Sequence, residues 1–266
     1  MKNLLHLFFF LTPLLFYSCS ESVPYGDAIE NPKDILKNGS CFTNYWIRAM
    51  DLSTNFVGLD PSSKQIPKET FLQQVATGKF LPLRLSSDSA SKIYYRLYKL
   101  DTIVDPYLPA MLRSIGAVAY KDFKWEGLPL PEINYTDLNG IKFNSDFIKG
   151  KTLVLDFWFI GCTACVEEFP DLNKLRNKYA NRKDIIFAAV AFDKEASLRK
   201  FLKKINLQFD VISDTSRYLI KKLDIQSFPS IVVVKNGKVV KILDDQYHCL
   251  PDLKMMLRKE VQDQDL

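Results

Sequence analysis

Between Lys151 and Phe159 the chain reads KTLVLDFWF, apolar almost throughout, and DIIFAAVAF at Asp184–Phe192 has the same texture. Runs this short and continuous predict strands buried on both faces. Between them, Cys162 to Tyr179 reads as a helix, with Pro170 expected to kink it. After the second run, Asp193 is placed to cap a helix over KEASLRKFLKKI, with Leu198, Phe201, Leu202 and Ile205 on one face. QFDVIS predicts a short strand, and Asp214 is placed to cap another helix through Leu223. SIVVVKNGKVVKIL predicts a hairpin turning at Asn236-Gly237, and LPDLKMMLRKEV a closing helix. Upstream, GLPLPEINYTDLNGIKF is proline-rich and then alternates around Asn139-Gly140, a second hairpin signal. Strands alternating with helices and ending in a hairpin predict an α/β sheet covered on both faces over residues 125–266.

The pattern before Trp125 differs. PKETFLQQVATGKF spaces Phe71, Leu72 and Val75 as a helix does, and SASKIYYRLYKLDTIV spaces Ile93, Leu97 and Leu100 similarly. DPYLPAMLRSIGAVAY predicts a third helix. Residues 39–124 are therefore expected to form a small, mainly helical domain, its aromatic stripes serving as core. Residues 19–38 are polar with scattered Pro and Gly and read as a tether. Residues 1–18 pair an early Lys with a short apolar run, the layout of a signal peptide and too short for the roughly 20 residues of a spanning helix. Phe-Tyr-Ser-Cys closes that run like a bacterial lipobox, which makes Cys19 the lipidation site. Phe16 stands where the usual lipobox has Leu, and Ser20 is not the Asp that often retains lipoproteins at an inner membrane. The expected location is the cell envelope, periplasm-facing or on the outer membrane, anchored through Cys19.

Composition adds limits. A hydrophobic content of 47% supports real cores, and a net charge of +5, spread among acids on helical stretches, gives no basic stripe for nucleic acid. Beyond Cys19 the chain carries Cys41, Cys162, Cys165 and Cys249, an even number that suits an oxidising compartment.

The chemistry centres on Cys162-Thr163-Ala164-Cys165, at the seam between a predicted strand and helix. There Cys162 meets the unsatisfied amides and positive dipole end of a helix, which favour a thiolate. Cys165 lies one turn on, more shielded and on the same face. One exposed and one covered thiol suit disulfide exchange, the first attacking and the second resolving. A zinc site would need four ligands, and only the scattered Cys41, His248 and Cys249 remain, so no metal is assigned. A structural disulfide over so short a loop would constrain the unfolded chain little.

From Trp125 to about Val261 the chain resembles the TlpA/ResA type of envelope thioredoxin-fold protein. The stretch GLPLPEINYTDLNGIKFNSDFIKGKTLVLDFWFIGCTACVEEFPDL follows that family's hairpin, strand and active-site helix, and LDIQSFPSIVVVKNGKVV its later loop and hairpin. The resemblance implies an α/β thioredoxin fold, with the smaller N-terminal domain lying outside it. It implies a membrane-tethered thiol-disulfide oxidoreductase with Cys162 and Cys165 as a redox-active disulfide and no other cofactor. Its partners would be envelope proteins with disulfides and a membrane electron donor. It also implies Asp156, six before Cys162, as a buried proton relay, and Pro229 as a cis-proline that, with Phe228, docks the substrate strand. Glu168 occupies a position where many members carry an acid. Gly161 replaces the family's usual Trp and is expected to reshape the contact surface; Thr163-Ala164 replaces the usual proline-containing pair and bears on the potential. Cys41 and Cys249 are left as candidates for a second disulfide. The alternatives are a non-catalytic binding module, a copper carrier on the same scaffold, and a peroxidase. The last is disfavoured because Thr163 follows Cys162 rather than preceding a single cysteine by three.

Overall fold

A computed structural model describes residues 24–88, 92–101, 105–244 and 247–262. The first part of the chain contains β1 (Tyr25–Ala28), α1 (Pro32–Ile35), α2 (Gly39–Ala49), β2 (Phe56–Leu59), β3 (Gln65–Ile66), α3 (Lys68–Ala76), β4 (Phe80–Ser87), β5 (Ile93–Lys99) and α4 (Leu108–Phe123). There follow β6 (Asn134–Thr136), β7 (Lys142–Asn144), α5 (Ser145–Ile148), β8 (Thr152–Trp158), α6 (Thr163–Lys178), β9 (Ile185–Ala191) and α7 (Glu195–Leu202). The chain closes with β10 (Asp210–Ser213), α8 (Tyr218–Lys222), β11 (Ser230–Lys235), β12 (Lys238–Leu243) and α9 (Cys249–Gln262).

The later strands form one sheet in the order β10-β9-β8-β11-β12. β8, β9 and β10 run parallel, β11 returns antiparallel beside β8, and β12 follows through the Asn236-Gly237 turn. Both turn residues have positive φ, 52° and 73°, as a two-residue turn matched to strand twist requires. This is the thioredoxin fold. β8 is its centre: Val154 and Trp158 pack on one side of the sheet, while Leu153, Leu155 and Phe157 pack on the other. Each such fully buried side chain contributes roughly 1.5–3 kcal/mol. Helix α6 passes through Pro170 without interruption. The proline lacks the N–H that would have bonded to the carbonyl four residues back.

The first part carries a sheet as well as the expected helices. It is built on a second sheet, β1-β4-β5-β2-β3, with α2, α3 and α4 sharing the apolar cluster on one face. The expected helix around Ile93 and Leu97 is strand β5, paired with β4 and β2. A spacing of four residues fits alternate positions of a strand as well as a helical turn, and the Ile-Tyr-Tyr run favours the strand. The stretch expected as a tether likewise carries β1, paired with β4, and α1, whose Ile35 is buried. The predicted signal peptide and Cys19 lie outside the described residues. Among the described residues no helix is long and apolar enough to cross a membrane.

The two sheets are joined by polar contacts. Lys241 Nζ meets Glu126 Oε1 at 2.6 Å, Lys121 Nζ donates to the Asp224 carbonyl at 2.7 Å, and Ser53 Oγ donates to Asp252 Oδ2.

Candidate functional site

Strand β8 ends at Trp158, and Phe159, Ile160 and Gly161 carry the chain to α6. The connection is held at two points. The Cys162 amide donates to the Phe159 carbonyl at 3.0 Å, and the Ile160 amide donates to Asp193 Oδ2 at 2.9 Å. Asp193, expected as a helix cap, thus pins the loop before the first cysteine; Lys194 takes the cap position of α7 without a side-chain bond.

Cys162 is the N-cap of α6. Its backbone is extended, and its sulfur accepts the Cys165 amide at 3.2 Å, one of the donors a helix start leaves unsatisfied. The two sulfurs are joined in a disulfide, with Cα atoms 5.3 Å apart. Cys162 is 7% exposed and Cys165 1%. Cys162 is therefore the more exposed of the two.

Buried polar groups lie on the same side of the sheet. Asp156 is 1% exposed, and neither carboxylate oxygen has a hydrogen-bond partner among the described residues. By strand alternation it shares a face with Val154 and Trp158, which pack with both cysteines. Burial, with the nearby Glu168 adding to it, pushes the Asp156 carboxyl up to about 8. Burial and then Asp171, against an opposing Lys254, push Glu168 up to about 7. Trp158 Nε1 and Glu168 Oε2 are also buried without a partner among the described residues. The Cys249 thiol is raised well above its ordinary value by burial, then by Glu168 and Asp156, which places it beside the same acids.

The Phe228-Pro229 bond is cis, and Phe228 packs against the cluster that holds Cys162 and Cys165. Gly161 is exposed at the rim. The structure thus gathers Asp156, Gly161, Cys162, Cys165, Glu168 and Phe228-Pro229 at one end of the sheet. It does not join Cys41 to Cys249: both are free, Cys41 half-buried on α2 and Cys249 buried. Cys249 spends its S–H on the Leu243 carbonyl, while the neighbouring His248 meets the Ile47 carbonyl through Nε2. Those two side chains are thus engaged with different carbonyls. Among the described residues no three His, Cys, Asp or Glu side chains gather as a metal site.

Two residues at the rim carried no sequence signal. Phe192 stacks on Phe159 at 5.1 Å, and Arg217 lies with its guanidinium carbon 4.1 Å from the Phe192 ring centre. They are far apart in sequence and belong to no spaced motif.

The AhpC/TSA family matches residues 127–242. The thiol-disulfide oxidoreductase ResA of a Bacillus cereus strain is 34% identical over 133 residues, 49% of this chain and 77% of that protein. ResA of Bacillus thuringiensis subsp. konkukian is 33% identical over 123 residues, 46% of this chain and 71% of that protein. A crystal structure of the thioredoxin domain of a thiol-disulfide oxidoreductase from Bacteroides vulgatus superposes with a TM-score of 0.41 at 28% identity, covering 48% of this chain and 96% of that one.

Proposed function

The chain belongs to the ResA family of thiol-disulfide oxidoreductases, and from that premise we propose that Cys162 and Cys165 are its working pair, reducing disulfides of envelope proteins. The observation that carries this is the disulfide at the start of α6, on the side of the sheet that also buries the carboxyl of Asp156. In the reduced enzyme the Cys162 thiolate attacks one sulfur of the substrate disulfide. That bond breaks, one substrate sulfur leaves as a thiolate, and a mixed disulfide forms. Cys165 then attacks the Cys162 sulfur, its proton passing to Asp156, and the second substrate sulfur departs. Two electrons leave the enzyme, whose cysteines end as the disulfide seen here. In that oxidised state the raised Asp156 carboxyl holds its proton at neutral pH. The proton is returned to Cys165 when an electron donor reduces the pair. Glu168 joins this proton exchange as the neighbouring acid. The backbone around cis-Pro229 takes the substrate segment as an added strand.

The lipobox-like Phe-Tyr-Ser-Cys supports attachment through a lipid on Cys19, with a membrane electron donor restoring the dithiol. Turnover of a disulfide-bonded protein with dithiothreitol as reductant tests the exchange, with Cys162→Ser expected to abolish it. Retention of activity in that variant would refute the assignment. Fractionation of cells expressing Cys19→Ala tests the anchor: the variant should leave the membrane fraction.

A further inference from the structure

Three phenylalanine rings lie at the rim of the site, and none of them takes part in the bond exchange. Phe159 leaves β8 just before the first cysteine, Phe192 follows β9, and Phe228 precedes the cis-proline. Phe159 and Phe192 stack at 5.1 Å, and Phe228 meets them edge-on at 5.5 Å and 5.8 Å. All three rings are only half-buried. Gly161 leaves room for this arrangement, because a Cβ there would stand 3.2 Å from the Phe159 ring. The aromatic surface that a Trp at 161 would have supplied is thus furnished by residues from three separate loops.

A charge borders it. Arg217 is exposed, 4.1 Å from the Phe192 ring centre, and among the described residues its guanidinium has no carboxylate partner. The acids closest in the chain are engaged elsewhere. Asp193 accepts the Ile160 amide, and Asp214 accepts Ser216 Oγ and the Leu219 amide. The rim beside the disulfide is therefore aromatic and cationic, and continuous with the loops that carry Cys162 and Pro229.

We propose that Phe159, Phe192, Phe228 and Arg217 form a specificity subsite. It takes a substrate segment with an aromatic or large aliphatic residue beside its attacked cysteine and an acidic residue a step or two further on. The apolar side chain packs on the rings, where offset and edge-on contacts are favourable. The acid pairs with the guanidinium, which already lies over an aromatic face. This rests on the reading of Cys162 and Cys165 as a pair that reduces polypeptide disulfides.

The test uses the full chain and a set of disulfide-bridged peptides with Phe or Ala beside the cysteine and Glu or Lys two residues on, with glutathione disulfide alongside. For the wild type, kcat/KM should favour the Phe/Glu peptide over the Ala/Lys peptide by on the order of tenfold, as one ring contact and one surface ion pair together supply. Arg217→Glu should invert the Glu-over-Lys preference, a gain on the Lys peptide that misfolding cannot produce. Phe159→Leu, which keeps apolar volume and the Phe192–Arg217 contact, should shrink the Phe-over-Ala preference and leave the charge preference in place. Equal rates on all peptides, or an unchanged charge preference in Arg217→Glu, would overturn the subsite. A wild type that reduces neither the peptides nor glutathione disulfide would overturn the underlying redox reading instead.

Discussion

The Cys165 backbone amide donates to the Cys162 sulfur across 3.2 Å, so the second cysteine of the pair helps hold the first as the cap of α6. A sulfur in that position is stabilised as an anion and is the more exposed of the two. In the reduced protein, brief alkylation at neutral pH should therefore label Cys162 roughly tenfold faster than Cys165. Buried Cys249 should be labelled last. Peptide mass mapping of a quenched time course reads this directly, and equal labelling of Cys162 and Cys165 would count against the assigned roles.

Asp156 makes stability depend on pH. Its carboxyl is raised to about 8 in the folded, oxidised protein. An unfolded Asp titrates near 3.9. Between those values the folded state binds more protons than the unfolded one. The contribution of this group is therefore most favourable at acid pH and falls as pH rises toward 8, by roughly 1.4 kcal/mol per pH unit, then levels off. Asp156→Asn should be more stable than the wild type at pH 8 and show a shallower decline from pH 5 to 8, by urea denaturation of the oxidised forms. The same variant should reduce protein substrates more slowly, because Cys165 loses its proton acceptor. Parallel pH profiles for the two proteins would contradict the account.

Glu126 joins the two sheets electrostatically. It lies 2.6 Å from Lys241 and 4.0 Å from Lys68, both largely shielded from solvent. Burial and then the neighbouring Lys241 push Lys68 down to about 7. Glu126→Gln would leave two buried amines facing each other and should cost about 3 kcal/mol. Lys241→Met should cost less, because Lys68 keeps the carboxylate. Chemical denaturation of both variants checks the order, and a larger loss in Lys241→Met would reverse the argument.

Gly116 permits α3 and α4 to touch. A Cβ there would stand 2.5 Å from the Ala76 backbone nitrogen, a contact that only movement of the backbone can relieve. Gly116→Ala should destabilise the first sheet's unit by about 1–3 kcal/mol despite the better helix propensity of alanine. Thermal unfolding of the variant measures this, and a raised melting temperature would show that the helices yield.

How much of this the sequence disclosed depended on the range of the signal. β8, β9, α6 and the two Asn-Gly turns were legible because continuous apolar runs, a seam with two cysteines and positive-φ turn residues are local features. Residues before Trp125 were misread where one spacing served two structures, as for Ile93 and Leu97 in β5. β1 was missed because its four residues are stabilised by pairing with β4, far along the chain. At the site, Asp156 stood out as an acid inside an apolar strand. Asp193 resembled an ordinary cap, and its actual partner, the Ile160 amide, is visible only in three dimensions. The idea of a Cys41–Cys249 bond came from parity, and the fold keeps both thiols free.

The central claim is that Cys162 attacks and Cys165 resolves. The most direct test mixes reduced Cys165→Ser with a disulfide-bonded protein substrate and examines the product by non-reducing mass spectrometry and peptide mapping. The expected product is a long-lived mixed disulfide through Cys162, released by dithiothreitol and absent in Cys162→Ser. A covalent complex through Cys41 or Cys249, or none at all under conditions where the wild type turns over, would contradict it.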